Sequence, residues 1–132
     1  MPDVRLMKNL YPEICKRFPE VRSRFFDDDR DLPYMLFNRL VDWLATQDIT
    51  DELIERVTAF CKWCNDQPRG STSEDDLYTA WHVSFLEKLF KHSRTRILLP
   101  HLLPKEAIVD ARDYLITWAG NENYEAVLKE YK

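Results

Sequence analysis

Glycine is scarce in this chain of 132 residues, which contains only Gly70 and Gly120. Folds with many tight turns or hairpins need residues that tolerate positive φ angles, so this scarcity argues against them. The P-loop, GxGxxG, GxSxG, HExxH and EF-hand patterns are also missing. Because no enzyme's motif is found, we predict that the chain is not an enzyme and requires no cofactor.

Cysteines and long apolar runs are few as well. Cys15, Cys61 and Cys64 form a small, odd set, which argues against a disulfide scaffold. No stretch approaches the roughly 18 apolar residues that a membrane span needs. Residues 1–10 carry several charges and no long apolar run, unlike a signal peptide. These absences predict a cytoplasmic protein without a membrane partner.

The chain does contain ample material for a hydrophobic core, since 45% of its residues are apolar and 13% are aromatic. Its length suits one domain, which we place at residues 1–132. Lys and Arg total 19 and Asp and Glu total 23, so the formal charge is −4. A mildly acidic domain is a poor general binder of nucleic acid but can attract a basic protein.

Apolar residues recur at helical spacing along most of the chain. Residues 33–46, 50–65 and 104–119 each carry an apolar stripe, which indicates amphipathic helices. In residues 74–92 the apolar side chains cover more than one stripe, which is typical of a helix packed on several sides. We predict an all-α fold, an irregular bundle of six to seven helices around this central apolar helix.

Several residues predict where helices begin and end. Thr50 and Asp31 are candidate N-caps, because their side-chain oxygens can accept a hydrogen bond from a first-turn N–H. Pro100 is expected to stop a short helix or turn in residues 94–103. Gly120 is a good residue just after a helix end, where positive φ is common.

Three polar side chains receive structural interpretations. Glu52 and Arg56 have the i,i+4 spacing of a favourable ion pair. His82 falls among core positions of the central helix, so a hydrogen-bonded buried imidazole is expected. Glu87 is interpreted as a partly buried carboxylate bonded to a neighbouring helix, or as a solvated one.

Acidic residues gather at 27–31, 48–52 and 74–76, each beside a predicted helix start. Phe26, just before the first cluster, continues the apolar face of the preceding helices. The clusters can cap helices and compensate the helix dipole. Alternatively, some of them join into a face for a basic partner. The partner contacts that this second interpretation predicts are Asp27, Asp28, Asp29, Glu74, Asp75 and Asp76.

Cys61 and Cys64 form a CxxC pair near the end of a predicted helix. A redox pair works best at a helix N-terminus, whereas this spacing places both sulfurs on the buried face. We therefore interpret them as core cysteines. A small metal- or thiol-dependent enzyme or regulator that uses both and a histidine (His82, His92 or His101) remains an alternative. The basic stretch Lys88 to Arg96 offers another alternative, a nucleic-acid adaptor.

Residues 78–89 (YTAWHVSFLEKL) resemble the central-helix signature of a family of uncharacterised bacterial helical domains. Residues 102–105 (LLPK) through 118–120 (WAG) resemble the closing segment of that family. In size, acidity and helical makeup, the chain is also similar to the immunity proteins of bacterial toxin systems. That resemblance implies a cofactor-free, stoichiometric inhibitor that binds a cognate and often basic toxin, with no contact residue assigned.

Overall fold

A computed structural model describes residues 9–67 and 76–131, and every regular element in those two ranges is helical. The prediction of an all-α fold is confirmed. Three short 3₁₀-helices lie at Pro19–Arg24, Asp27–Asp31 and Arg96–Leu98. The α-helices are α1 (Leu10–Arg17), α2 (Pro33–Leu44), α3 (Asp51–Asn65), α4 (residues 77–91), α5 (Leu99–Leu102), α6 (Lys105–Asp110), α7 (Arg112–Ala119) and α8 (Asn121–Glu130).

Helix α4 is the predicted central helix. It consists of Leu77–Ala80, a π-helical segment Trp81–Leu86 and Glu87–Lys91, which follow one another without a break. Its π-helical segment packs on α2, and its two ends contact α3 and α8. Because neighbours surround it, apolar residues are needed on several sides, which explains the broad apolar pattern of this stretch.

Four phenylalanines from different parts of the chain form the centre of the core. Phe60 of α3 lies with its ring centroid 5.6 Å from that of Phe18, 6.2 Å from that of Phe37 and 6.0 Å from that of Phe85. All four side chains are fully buried. The Phe18 and Phe85 rings meet the Phe60 ring edge to face, an arrangement that aromatic rings favour. This cluster joins the end of α1 to helices α2, α3 and α4.

The structure confirms two of the four predictions about where helices begin and end. The Thr50 hydroxyl oxygen accepts a hydrogen bond from the Leu53 N–H at 3.2 Å, as predicted. Gly120, with φ of +93°, separates α7 from α8 and is also confirmed. The prediction for Asp31 is wrong, because this residue ends a 3₁₀-helix and Leu32 precedes α2. Pro100 lies in the first turn of α5, where proline is tolerated, and does not stop a helix.

Arg56 makes a different ion pair from the one predicted. Its guanidinium donates to both carboxylate oxygens of Glu20, at 2.7 and 3.0 Å, and twice to the Arg17 carbonyl, at 2.8 and 3.2 Å. Hydrogen bonding to Arg56 lowers the pKa of Glu20 below its usual value. Arg56 of α3 therefore caps the end of α1, and Glu52 is only a minor electrostatic neighbour.

Among the residues that the structure describes, no helix has the length and apolar character needed to cross a membrane.

Candidate functional site

The carboxylate of Asp29 organises the short segment between α1 and α2. Its Oδ2 accepts hydrogen bonds from the Phe26 backbone N–H at 2.9 Å and from Arg39 Nε at 3.0 Å. Burial raises the pKa of Asp29, but these two hydrogen bonds outweigh burial and hold the pKa below its usual value. Asp29 thus fixes the start of the 3₁₀-helix Asp27–Asp31 against α2.

Exposed acidic and apolar side chains lie close together along the chain on both sides of Asp29, within residues 26–34. Asp27 and Asp28 both lie in contact with solvent. Three apolar side chains in the same stretch are unusually exposed, namely Phe26 (64%), Leu32 (48%) and Tyr34 (37%). We refer to these five residues as the acidic–apolar surface. The Arg39 guanidinium lies over the Phe26 ring, 4.8 Å from its centroid, in a cation–π contact.

The expectation that Phe26 continues the buried apolar face is wrong. Phe25 and Phe26 both have extended backbones, with ψ of 140° and 158°. Successive side chains of an extended chain point in opposite directions. Phe25 is accordingly half-buried against Tyr11, with ring centroids 5.6 Å apart, while Phe26 turns outward. The sequence signal for an exposed Phe26 is the pair of adjacent aromatic residues directly before a run of aspartates.

The six predicted partner contacts fall into three groups. Asp27 and Asp28 lie at the surface, where a partner can reach them. Asp29 and Asp76 are buried, with 4% and 3% of their areas exposed, so we correct their assignment from partner contacts to structural residues. The Asp76 carboxylate accepts a hydrogen bond from Thr79 Oγ1 at 2.7 Å beside the start of α4. Glu74 and Asp75 lie outside the described residues.

Cys61 and Cys64 are buried in the core, as their helical spacing predicts. Burial raises the pKa of the Cys61 thiol to about 12. Burial also raises the pKa of Cys64 strongly. Neutral thiols are poor nucleophiles and poor metal ligands. In residues 9–67 and 76–131, no group of three or more His, Cys, Asp or Glu side chains could hold a metal ion.

We predict that alkylation will distinguish these thiols from Cys15, which is half-buried in α1. Iodoacetamide at pH 8 is expected to modify at most one cysteine of the folded protein, and all three after denaturation. Mass spectrometry of the intact chain and of its peptides measures this. Rapid modification of Cys61 or Cys64 in the folded protein would contradict their assignment as inert core residues. It would support the alternative of a thiol-dependent enzyme or regulator.

The environment of His82 differs from the one predicted, and part of the basic stretch Lys88 to Arg96 makes contacts within the domain. His82 is exposed, so the prediction of a buried imidazole is wrong. Lys88 Nζ lies 2.9 Å from an Asp42 carboxylate oxygen, and Lys91 Nζ lies 4.1 Å from the centroid of the Trp118 ring. Arg96 donates to the Phe90 carbonyl at 3.0 Å. Because these cations are engaged within the domain, fewer of them are available for phosphates.

A small cleft opens between α4 and the helices α5, α6 and α7, with a volume of about 80 Å³. Glu87 of α4, with 4% of its area exposed, lines this cleft and accepts a hydrogen bond from the Tyr114 hydroxyl of α7. The bond to a neighbouring helix confirms one of the two interpretations of Glu87. This hydrogen bond, together with burial, raises the pKa of Tyr114.

No protein-family model, curated protein or solved structure matches this chain. The fold therefore defines the class only as an all-α helical domain, and the resemblance to bacterial immunity proteins stays a prediction.

Proposed function

We propose that this chain is a protein-binding module, most concretely an immunity-like inhibitor that binds and neutralises a cognate toxin in the bacterial cytoplasm. The observation that carries the proposal is the acidic–apolar surface, where three exposed apolar side chains flank two solvent-exposed aspartates. Apolar and aromatic side chains grouped in this way are typical of the anchor residues of protein interfaces.

The chemistry of this surface selects the kind of partner. Phe26 and Tyr34 supply apolar area that gains free energy when a partner removes it from water. Asp27 and Asp28 add negative potential, which increases the rate of association with a basic protein. A partner with basic side chains around an apolar pocket is complementary to both features.

The other candidate functions draw less support from the same residues. The thiol and metal hypothesis needs reactive sulfurs, whereas Cys61 and Cys64 lie in the core with raised pKa values. The nucleic-acid hypothesis needs available cations, whereas Lys88 pairs with Asp42 and Arg94 lies 3.7 Å from Asp48.

The proposal is tested by isolating the partner and measuring its affinity for designed variants. The chain is used as bait in lysate of its host, and the retained basic protein is purified. We expect the Asp27→Lys/Asp28→Lys variant to raise the dissociation constant at least about tenfold, because like charges now face each other. Phe26→Ala is expected to weaken binding by a similar factor through the lost anchor.

The matched control reverses two exposed aspartates elsewhere, Asp110→Lys/Asp113→Lys on α6 and α7. It changes the net charge equally and is expected to leave affinity within about twofold at moderate salt, where distant charges are screened. Equal losses of affinity in both double variants would show that net charge alone causes the effect. The acidic–apolar surface would then not be the binding site. Failure to retain any specific protein, at low or moderate salt, would contradict the inhibitor proposal itself.

A further inference from the structure

We propose that the cleft beside Glu87 binds a protonated alkylamine, whose hydrocarbon chain lies between the helices and whose ammonium group meets the Glu87 carboxylate. This inference concerns α4 to α7 and does not depend on the acidic–apolar surface. The two proposals can therefore fail separately.

The walls of the cleft select the hydrocarbon part of the ligand. Apolar side chains from four helices, and from Leu103 between α5 and α6, line it; those of the helices are Leu86, Phe90, Leu99, Ile108 and Leu115. An apolar cavity of about 150 Å³ is known to enclose benzene. This cleft, at about 80 Å³, is smaller and open to solvent, so it can bury a hydrocarbon group of only a few carbon atoms.

Glu87 selects the charged part of the ligand. A carboxylate offers about four acceptor positions, of which the Tyr114 hydroxyl occupies one. A buried carboxylate is costly unless opposite charge or hydrogen bonds compensate it. An alkylammonium carries three N–H donors and one positive charge, so it complements Glu87 at the edge of an otherwise apolar cleft.

The backbone of α4 provides a second, independent indication at this place. The π-helical segment Trp81–Leu86 ends immediately before Glu87, and two of its residues, His82 and Leu86, line the cleft. Short π-helical insertions occur preferentially at functional sites, because they change the direction in which the following side chains project. Here the insertion precedes the one carboxylate that lines the cleft.

The same alkylammonium chemistry occurs in free amines and at the end of a lysine side chain. The test uses the full ¹⁵N-labelled chain at pH 8, where an alkylammonium with a pKa of about 10.4 keeps its proton. Titration with n-butylamine is expected to shift the backbone amide signals of residues 82–90 and 99–115, with a millimolar dissociation constant.

A neutral probe and two variants separate charge recognition from apolar burial. We expect n-butanol to bind at least tenfold more weakly than n-butylamine. Glu87→Gln is expected to remove that preference, whereas Glu106→Gln, an exposed glutamate on α6, is expected to preserve it. If Glu87→Gln does not fold, the comparison of butylamine with butanol on the unchanged chain still decides the proposal.

Equal binding of butylamine and butanol, or absence of saturable shifts in residues 82–90, would overturn the proposal. Unchanged butylamine binding by folded Glu87→Gln would overturn it as well. A final arm uses lysine whose α-amino and α-carboxyl groups are blocked as amides, so that only the side-chain ammonium is charged. Binding equal to that of butylamine identifies a lysine side chain as a source of the ligand, and binding by butylamine alone identifies a free amine.

Discussion

Replacing Phe60 by alanine is expected to lower the free energy of unfolding by about 3–5 kcal/mol. The Phe60 ring contacts the rings of Phe18, Phe37 and Phe85, so its removal leaves a cavity in the centre of the core. In a domain of this size the melting temperature is expected to fall by roughly 10–20 °C. Urea denaturation and thermal melting, both followed by circular dichroism, measure the loss.

Phe26→Ala is the matched control, because it removes the same side chain from an exposed position. Surface substitutions of this kind usually change stability by less than about 0.5 kcal/mol. Similar decreases in the free energy of unfolding for Phe60→Ala and Phe26→Ala would contradict the central position of Phe60 in the core. Domains are stable by only about 5–15 kcal/mol, so Phe60→Leu, which keeps part of the volume, provides a milder second measurement.

Replacing Asp29 by alanine is expected to destabilise the domain by about 1–3 kcal/mol, because the Phe26 N–H and Arg39 Nε lose their shared acceptor. Asp29→Asn is expected to cost less, since its amide oxygen can still accept from the Phe26 N–H. Asp27→Asn changes an exposed neighbour and is expected to be nearly neutral. Chemical denaturation of the three variants at pH 7 gives the ranking.

Asp29 also predicts how stability depends on pH. Its pKa is lower in the folded domain than in the unfolded chain, where an aspartate titrates near about 3.9. Ionised Asp29 therefore stabilises the folded state above that pH. This contribution to the free energy of unfolding is lost as the pH falls through the folded pKa. Denaturation curves between pH 2 and 7 should show a smaller acid-induced loss in Asp29→Asn than in the unchanged chain. Identical losses would show that Asp29 does not contribute.

Local patterns predicted the parts of the fold that depend on neighbours in sequence. Apolar spacing located the central helix, and single residues located the ends at Thr50 and Gly120, because these features are decided within one or two turns. The Arg56–Glu20 and Tyr114–Glu87 contacts join different elements. They depend on how helices pack, which residue spacing does not reveal.

His82 shows why even a local pattern can mislead. Its assignment to the core assumed the regular α-helical spacing of 3.6 residues per turn. Residues 81–86 are π-helical, so each residue advances the helix by a smaller rotation and the faces drift from their α-helical positions. His82, the second residue of this segment, is exposed.

The two hydrogen bonds to Asp29 have a consequence for the entropy of association. They fix the backbone of residues 26–29 in the unbound domain. Ordering a flexible residue costs about 1–2 kcal/mol, and a loop that folds only on binding loses that amount from its contacts. A partner that docks on Phe26, Asp27 and Asp28 meets a segment that is already ordered, so the cost of ordering this backbone is not subtracted from the contact free energy on binding. A small surface can then bind tightly.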